Sequence, residues 1–136
     1  MDTTEGKDDL YSTDGTLNVV QLLLHAQVLY RAGEFDLARR LYFRMIRENA
    51  KPHIAFYWLG CCARKENRPE EARELLEKSL KLKESIESSL QLAEVLVELK
   101  CLEEAKALLS QIGSSAALRP DHKRKVKEIS QQLEMS

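Results

Sequence analysis

The stretch Phe56–Leu76, FYWLGCCARKENRPEEARELL, decides the fold. Phe56, Leu59, Gly60 and Ala63 fall at helical spacing on one face, and Ala72, Leu75 and Leu76 do the same further on. Between them Asn67-Arg68-Pro69 reads as a tight turn. A proline in the first helical turn forfeits no intrahelical hydrogen bond, and Glu70 and Glu71 sit near the positive end of the returning helix. Glycine in a helix interior costs about 1 kcal/mol relative to alanine, so Gly60 implies a close helix approach that offsets the loss. The stretch is a helix, a turn and an antiparallel helix, with Gly60 expected opposite Ala72.

The same pattern extends in both directions. Upstream, Leu22, His25, Ala26 and Leu29 share a face, Gly33 marks a turn, and Leu37, Ala38, Leu41, Tyr42 and Met45 follow. Downstream, Ser89, Leu92, Ala93 and Leu96 lead through a turn at Lys100 to Ala105, Leu108, Leu109 and Ile112. Ala38, Ala72 and Ala105 recur at intervals of 34 and 33 residues, and Ala26, Gly60 and Ala93 repeat both intervals. A helix pair cannot bury its larger residues alone, so successive pairs stack and share one core. The expected architecture is all-α: three stacked antiparallel helix-turn-helix repeats, near 19–52, 53–86 and 86–119, within a domain spanning 17–136. A C-terminal capping helix follows near 120–135, after Pro120, with Val126, Ile129 and Leu133 as its single apolar stripe. Residues 1–16 lack periodicity and read as a disordered lead-in.

With these residues on the page, the chain resembles the tetratricopeptide repeat family. The likeness rests on Leu59-Gly60 in a first helix, Gly33 at a turn, Phe35, Pro69 and Leu102 after the turns, and the recurrent alanines. Asn67 and Lys100 stand where the family prefers a turn glycine, and His25 stands where leucine is usual. The resemblance implies a non-catalytic interaction module, an adaptor or scaffold, that binds a peptide or helix of a protein partner. The partner would lie in the concave groove lined by the first helices. Carried over by register, the groove residues are Leu23, Leu24, Gln27, Tyr30 and Arg31 in the first repeat. The second repeat gives Tyr57, Trp58, Cys61, Arg64 and Lys65, and the third gives Gln91 and Glu94. Family members that grip the acidic C-termini of heat-shock proteins use a basic carboxylate clamp. Leu23, Gln27, Trp58, Glu87 and Gln91 occupy its places here, so the clamp is absent. The segment LLLHAQVLYRAGEFDLA is loosely similar to the N-terminal repeats of anaphase-promoting-complex scaffold subunits.

Composition limits the alternatives. A net charge of -1 gives no basic field and argues against duplex nucleic acid as a partner. No apolar run reaches the ~20 residues that span a bilayer, so no membrane partner is expected. Three cysteines make no disulfide framework and point to a reducing, cytoplasmic setting, with the nucleus as the alternative. Adjacent Cys61 and Cys62 diverge by roughly 100° on a helix and lack the paired spacing of a metal site or a redox motif, so no metal and no cofactor are expected. By register Cys62 faces the core and Cys61 the inner face. A thiol-dependent enzyme or redox sensor is the reading set against the scaffold. His25 is expected on the packed face, and the cluster His122-Lys123-Arg124-Lys125 on a solvated cap face. Glu74–Lys78 and Glu77–Lys81 are expected as surface ion pairs. Finally, Val19, Val20, Leu22, Leu23, Leu24, Val28 and Leu29 exceed what one buried stripe needs, which makes a homodimer through the first helix the alternative partner.

Overall fold

The computed structural model describes residues 18–135. It is all-helical, with seven helices among the described residues: α1 (Val19–Arg31), α2 (Phe35–Arg47), α3 (Pro52–Lys65), α4 (Pro69–Leu82), α5 (Ile86–Glu98), α6 (Leu102–Gly113) and α7 (Pro120–Glu134). The lead-in assigned to residues 1–16 lies outside the described residues. Each of the chain's three prolines is the first residue of a helix, α3, α4 or α7, where its fixed φ favours helix entry. Asn18 and Ser85 cap α1 and α5 by accepting from the backbone N–H groups of Gln21 and Ser88, both at 3.1 Å.

The turns inside the three pairs are built alike. Gly33, Asn67 and Lys100 all have positive φ, at 80°, 61° and 64°. The following N–H groups of Glu34, Arg68 and Cys101 reach back to the carbonyls of Leu29, Ala63 and Leu96 at 2.8–2.9 Å. This double-bonded helix end turns the chain in a minimum of residues, and the left-handed residue is its signature. Asparagine and lysine therefore do the work of glycine at the second and third turns.

Within each pair the helices lie antiparallel, α1 with α2, α3 with α4, and α5 with α6. The pairs stack through α2 on α3 and α4 on α5, and α7 closes the stack against α5 and α6. The small residues at the beat are all buried. At Gly60 a Cβ would come within 2.8 Å of Leu76 Cγ and 3.5 Å of the Ala72 carbonyl oxygen, which is the close approach its helix position implied. Two clusters form the core. One joins repeat one to α3 through Leu22, Ala26, Tyr42, Met45, Ala55, Leu59 and Cys62. The other runs from α4 through α5 and α6 into Ile129 and Leu133 of α7, and Leu75 packs against both.

Several local expectations change in the structure. Glu77 pairs with Arg73 at 3.2 Å rather than with Lys81, and the Lys78 ammonium lies 5.8 Å from the centroid of the Phe56 ring. Arg39 and Arg73, 34 residues apart, both tie one repeat to the next. Arg39 pairs with Glu66 in the turn of repeat two, and Arg73 with Glu104 of α6 at 2.6 Å. A buried hydroxyl pair also joins α4 and α5: Ser79 Oγ donates to the His53 carbonyl at 2.7 Å and lies 3.0 Å from Ser88 Oγ.

Candidate interaction site

The repeat interval makes four helices comparable position by position: α1, α3, α5 and α7. Leu24, Trp58, Gln91 and Lys125 occupy one such position. In each helix after the first, this residue contacts the preceding first helix and forms a rung of the stack. Trp58 packs edge-on to Tyr30 with ring centroids 5.3 Å apart, and stacks at 6.3 Å and 6° on the buried Tyr42 of α2. Gln91 accepts from Arg64 at 3.0 Å. Lys125 pairs with Glu94 at 3.3 Å. Leu24, in the first of the described helices, is 54% exposed.

The rungs thus change character along the stack, from aromatic to hydrogen-bonded to ionic. Around the aromatic rung, Tyr57 meets Trp58 at 5.2 Å, and Tyr30 meets Phe35 at 5.7 Å. Leu23 and Gln27 are half-buried beside them, while Arg31 and Lys65 are exposed at the same rim. Around the second rung, Arg64 donates to Glu94 at 3.1 Å and to Glu98 at 3.2 Å. Burial opposes the Arg64 charge, but these two carboxylates outweigh it and hold its pKa above the ordinary arginine value. Glu94 is only 7% exposed and lies between Arg64 and Lys125. Side chains from the second repeat and from the cap helix α7 therefore meet on one buried carboxylate of the third repeat. Glu87 is held likewise, 3.0 Å from His122 Nε2 and 3.4 Å from Arg119.

The structure separates the twelve register-derived residues into two groups. Cys61, Arg64, Gln91 and Glu94 are buried or engaged with other repeats, and they bind the stack together. Leu23, Leu24, Gln27, Tyr30, Arg31, Tyr57, Trp58 and Lys65 cluster at the first two repeats and keep some exposure. Lys125 is the residue at this register position that the sequence placed in a solvated basic cluster, and it pairs with Glu94 instead. Its distance of 67 residues from Trp58, the sum of the two repeat intervals, is the signal that finds it. His122, from that same cluster, is buried rather than solvated. Its Nδ1 accepts from the Arg119 backbone N–H at 3.2 Å and closes the start of α7.

The thiols occupy a packed environment. Burial pushes the Cys61 thiol up to about 12, against a hydrogen bond with the Tyr57 hydroxyl, and pushes Cys62 up to about 11, against the field of Arg39. Thiolate, the reactive form, is therefore scarce at neutral pH for both.

A family model described as Tetratricopeptide repeat matches residues 63–128, from the end of α3 into α7. The match supports the tetratricopeptide repeat family over that span. The first repeat lies outside the match and carries the same beat at Ala26 and Ala38, both fully buried. No curated protein matches the sequence. Tetratricopeptide repeats generally mediate protein–protein interaction and are generally not enzymes. Among the described residues, no helix is long and apolar enough to cross a membrane.

Proposed function

We propose that this tetratricopeptide repeat chain is a non-catalytic adaptor or scaffold that binds a peptide or helix of a protein partner at the first-repeat half of its concave groove. One observation carries the reading: the groove is internally cross-linked through Arg64, Glu94 and Lys125 in its second half, and aromatic and partly exposed in its first. A ligand there meets Leu23, Leu24, Tyr30, Tyr57 and Trp58 as apolar contacts. Partly buried aromatics of this kind dominate interface energies. Arg31 and Lys65 at the rim favour a partner segment that carries carboxylates beside its apolar anchors. The chemistry of the groove and the retained thiols fit a cytoplasmic or nuclear setting.

The test is binding of amphipathic acidic peptides selected by display against the full chain. Leu23→Ser combined with Lys65→Glu is expected to weaken them by about tenfold or more, with unchanged far-UV circular dichroism. Retention of affinity in that variant sinks the groove assignment. Trp58→Ala is a poor probe, because Trp58 also joins repeat one to repeat two.

A second reading, self-association through α1, is favoured by the exposure of Val20, Leu24 and Val28 along one line of that helix. Light scattering at high micromolar concentration decides it: a mass of one chain removes the dimer.

A further inference from the structure

The outer face of α1 is an inter-repeat surface without its repeat. In α3, Ala55, Leu59 and Cys62 are buried against the preceding pair, with Ile54 and Trp58 packed beside them. The residues 34 positions earlier are Gln21, His25, Val28, Val20 and Leu24. All five are exposed, Val20 at 67%, Leu24 at 54% and Val28 at 63%. The corresponding Ser88, Leu92 and Val95 of α5 are buried, as are His122 and Ile129 of α7. Four copies of one packing face exist in the chain, and three are covered.

Charge identifies what fits the fourth. Residues 1–17 carry five carboxylates, Asp2, Glu5, Asp8, Asp9 and Asp14, against the single Lys7. Residues 18–52 carry Arg31, Arg39, Arg40, Arg44, Arg47 and Lys51 against Glu34, Asp36 and Glu48. Residues 53–136 balance to zero. The chain's charge imbalance is confined to its first two segments and is of opposite sign in each. Arg31 continues the Leu24–Val28 line and is exposed, and Arg40 is exposed one turn after the half-exposed Leu37 of α2. The acidic segment also carries Leu10 and Tyr11, and it joins α1 directly at Asn18. Tyr11 lies seven residue steps from Asn18, about 23 Å when extended, whereas Val20 to Val28 spans about 12 Å of helix. Leu10 and Tyr11 therefore reach every part of the apolar line.

From this complementarity we infer that residues 1–17 are the cover of the α1 outer face, with Leu10 and Tyr11 set against Val20, Leu24 and Val28 and the carboxylates facing Arg31 and Arg40. The inference overlaps the groove reading at Leu24 and Arg31, whereas Val20, Val28 and Arg40 belong to it alone, so a probe at Val28 tests it apart from the groove. It makes the N-terminal repeat interface a displaceable one, held by its own chain and open to competition by a partner of the same chemistry.

The test uses the full chain. In a Val28→Cys variant, alkylation of the introduced thiol is read by peptide mass spectrometry. Adding Leu10→Ser and Tyr11→Ser, or separately Asp8→Lys and Asp9→Lys, is expected to speed that alkylation by about tenfold. In the unsubstituted chain, nuclear Overhauser effects should join the Tyr11 ring to the Leu24 and Val28 methyls, and a mixed-label sample should place them within one molecule. Equal alkylation rates with no such effects overturn the inference and leave the face open. Alkylation that slows with rising protein concentration, or effects between molecules, overturn it in favour of a second copy.

Discussion

The two ends of the stack are finished in different ways. At the C-terminal end α7 occupies the place of a fourth first helix. It lays Ile129 and Leu133 on α5 and α6 and sends Lys125 to Glu94, while its remaining faces are largely charged. At the N-terminal end α1 shows the very face that α3, α5 and α7 bury, and that face keeps its valines and leucine. A repeat array needs a polar outer surface at each terminus, and only one terminus has it in the described residues. The difference teaches that the same register position carries opposite energetics at the two ends. It also leaves α1 with the apolar packing face that stays exposed among the described residues.

The sharpest way to break the comparison is to truncate equivalent residues. Ile129 is fully buried, and Ile129→Ala is expected to cost about 3 kcal/mol in urea unfolding, through lost burial and the cavity left between α7 and α5. Val28→Ala, at the corresponding position, is expected within about 0.5 kcal/mol of wild type if its face is open. A loss near 1 kcal/mol or more at Val28 instead signals a covered face. Thiols report the same contrast kinetically. Cys62 stands at this position in α3, with its pKa pushed up to about 11 by burial. At pH 8 a thiol of ordinary pKa is about a quarter thiolate and one near 11 only about a thousandth, so a thiol introduced by Val28→Cys should alkylate about a hundredfold faster than Cys62 if the face is open. Comparable rates at the two sites would mean that the faces are equally closed.

Much of this was legible in the sequence, because the period is carried by small residues whose role is local. The family and the all-α stack follow from Ala26, Ala38, Gly60, Ala72, Ala93 and Ala105, each placed where two helices approach. Lys78, His122 and His25 show where legibility stops. Lys78 had an apt carboxylate at i−4, but Phe56 on the neighbouring helix lies near its ammonium, a contact that only tertiary placement reveals. His122 was hidden in a run of cations, yet it is buried because it sits at the position of Ser88. His25 was expected in a packed face, and it does occupy the position of buried Leu59 and Leu92, but it is exposed, and among the described residues nothing lies before α1. The groove divided for the same reason. Register gave the positions on the first helices, whereas the pairing of Arg64 with Glu94 and Glu98 depends on side-chain reach across repeats.

Smaller effects sharpen the interior against the ends. Gly60→Ala brings a methyl within 2.8 Å of Leu76, whose side chain is fully buried and has little room to move. Overpacking costs roughly 1–3 kcal/mol and improved helix propensity returns about 1, so a net loss of about 1 kcal/mol is expected in denaturant titration. Lys100→Gly should act in the other direction. A side chain at φ 64° carries steric strain that glycine lacks. The relief of about 1–2 kcal/mol, less glycine's entropic cost of about 0.5–1, leaves a gain of about 0.5 kcal/mol. A loss of stability there would mean that Lys100 makes a favourable contact outweighing its backbone strain.

The smallest effect is the most discriminating for the open end. His25→Leu restores the residue that α3 and α5 carry at this position, Leu59 and Leu92, both buried. If the α1 face meets only water, the leucine has no partner, and thermal unfolding should shift by no more than the equivalent of about 0.5 kcal/mol. If residues 1–17 lie on the face, the leucine extends the Leu24–Val28 line beneath them and gains burial. Stability then rises, and the gain disappears when Leu10→Ser and Tyr11→Ser are combined with it. If a second copy covers the face instead, the gain grows with protein concentration, because association and folding are then linked. One conservative substitution at a position that the repeat interval alone identifies therefore distinguishes water, the chain's own first residues and a second molecule at the end of the stack.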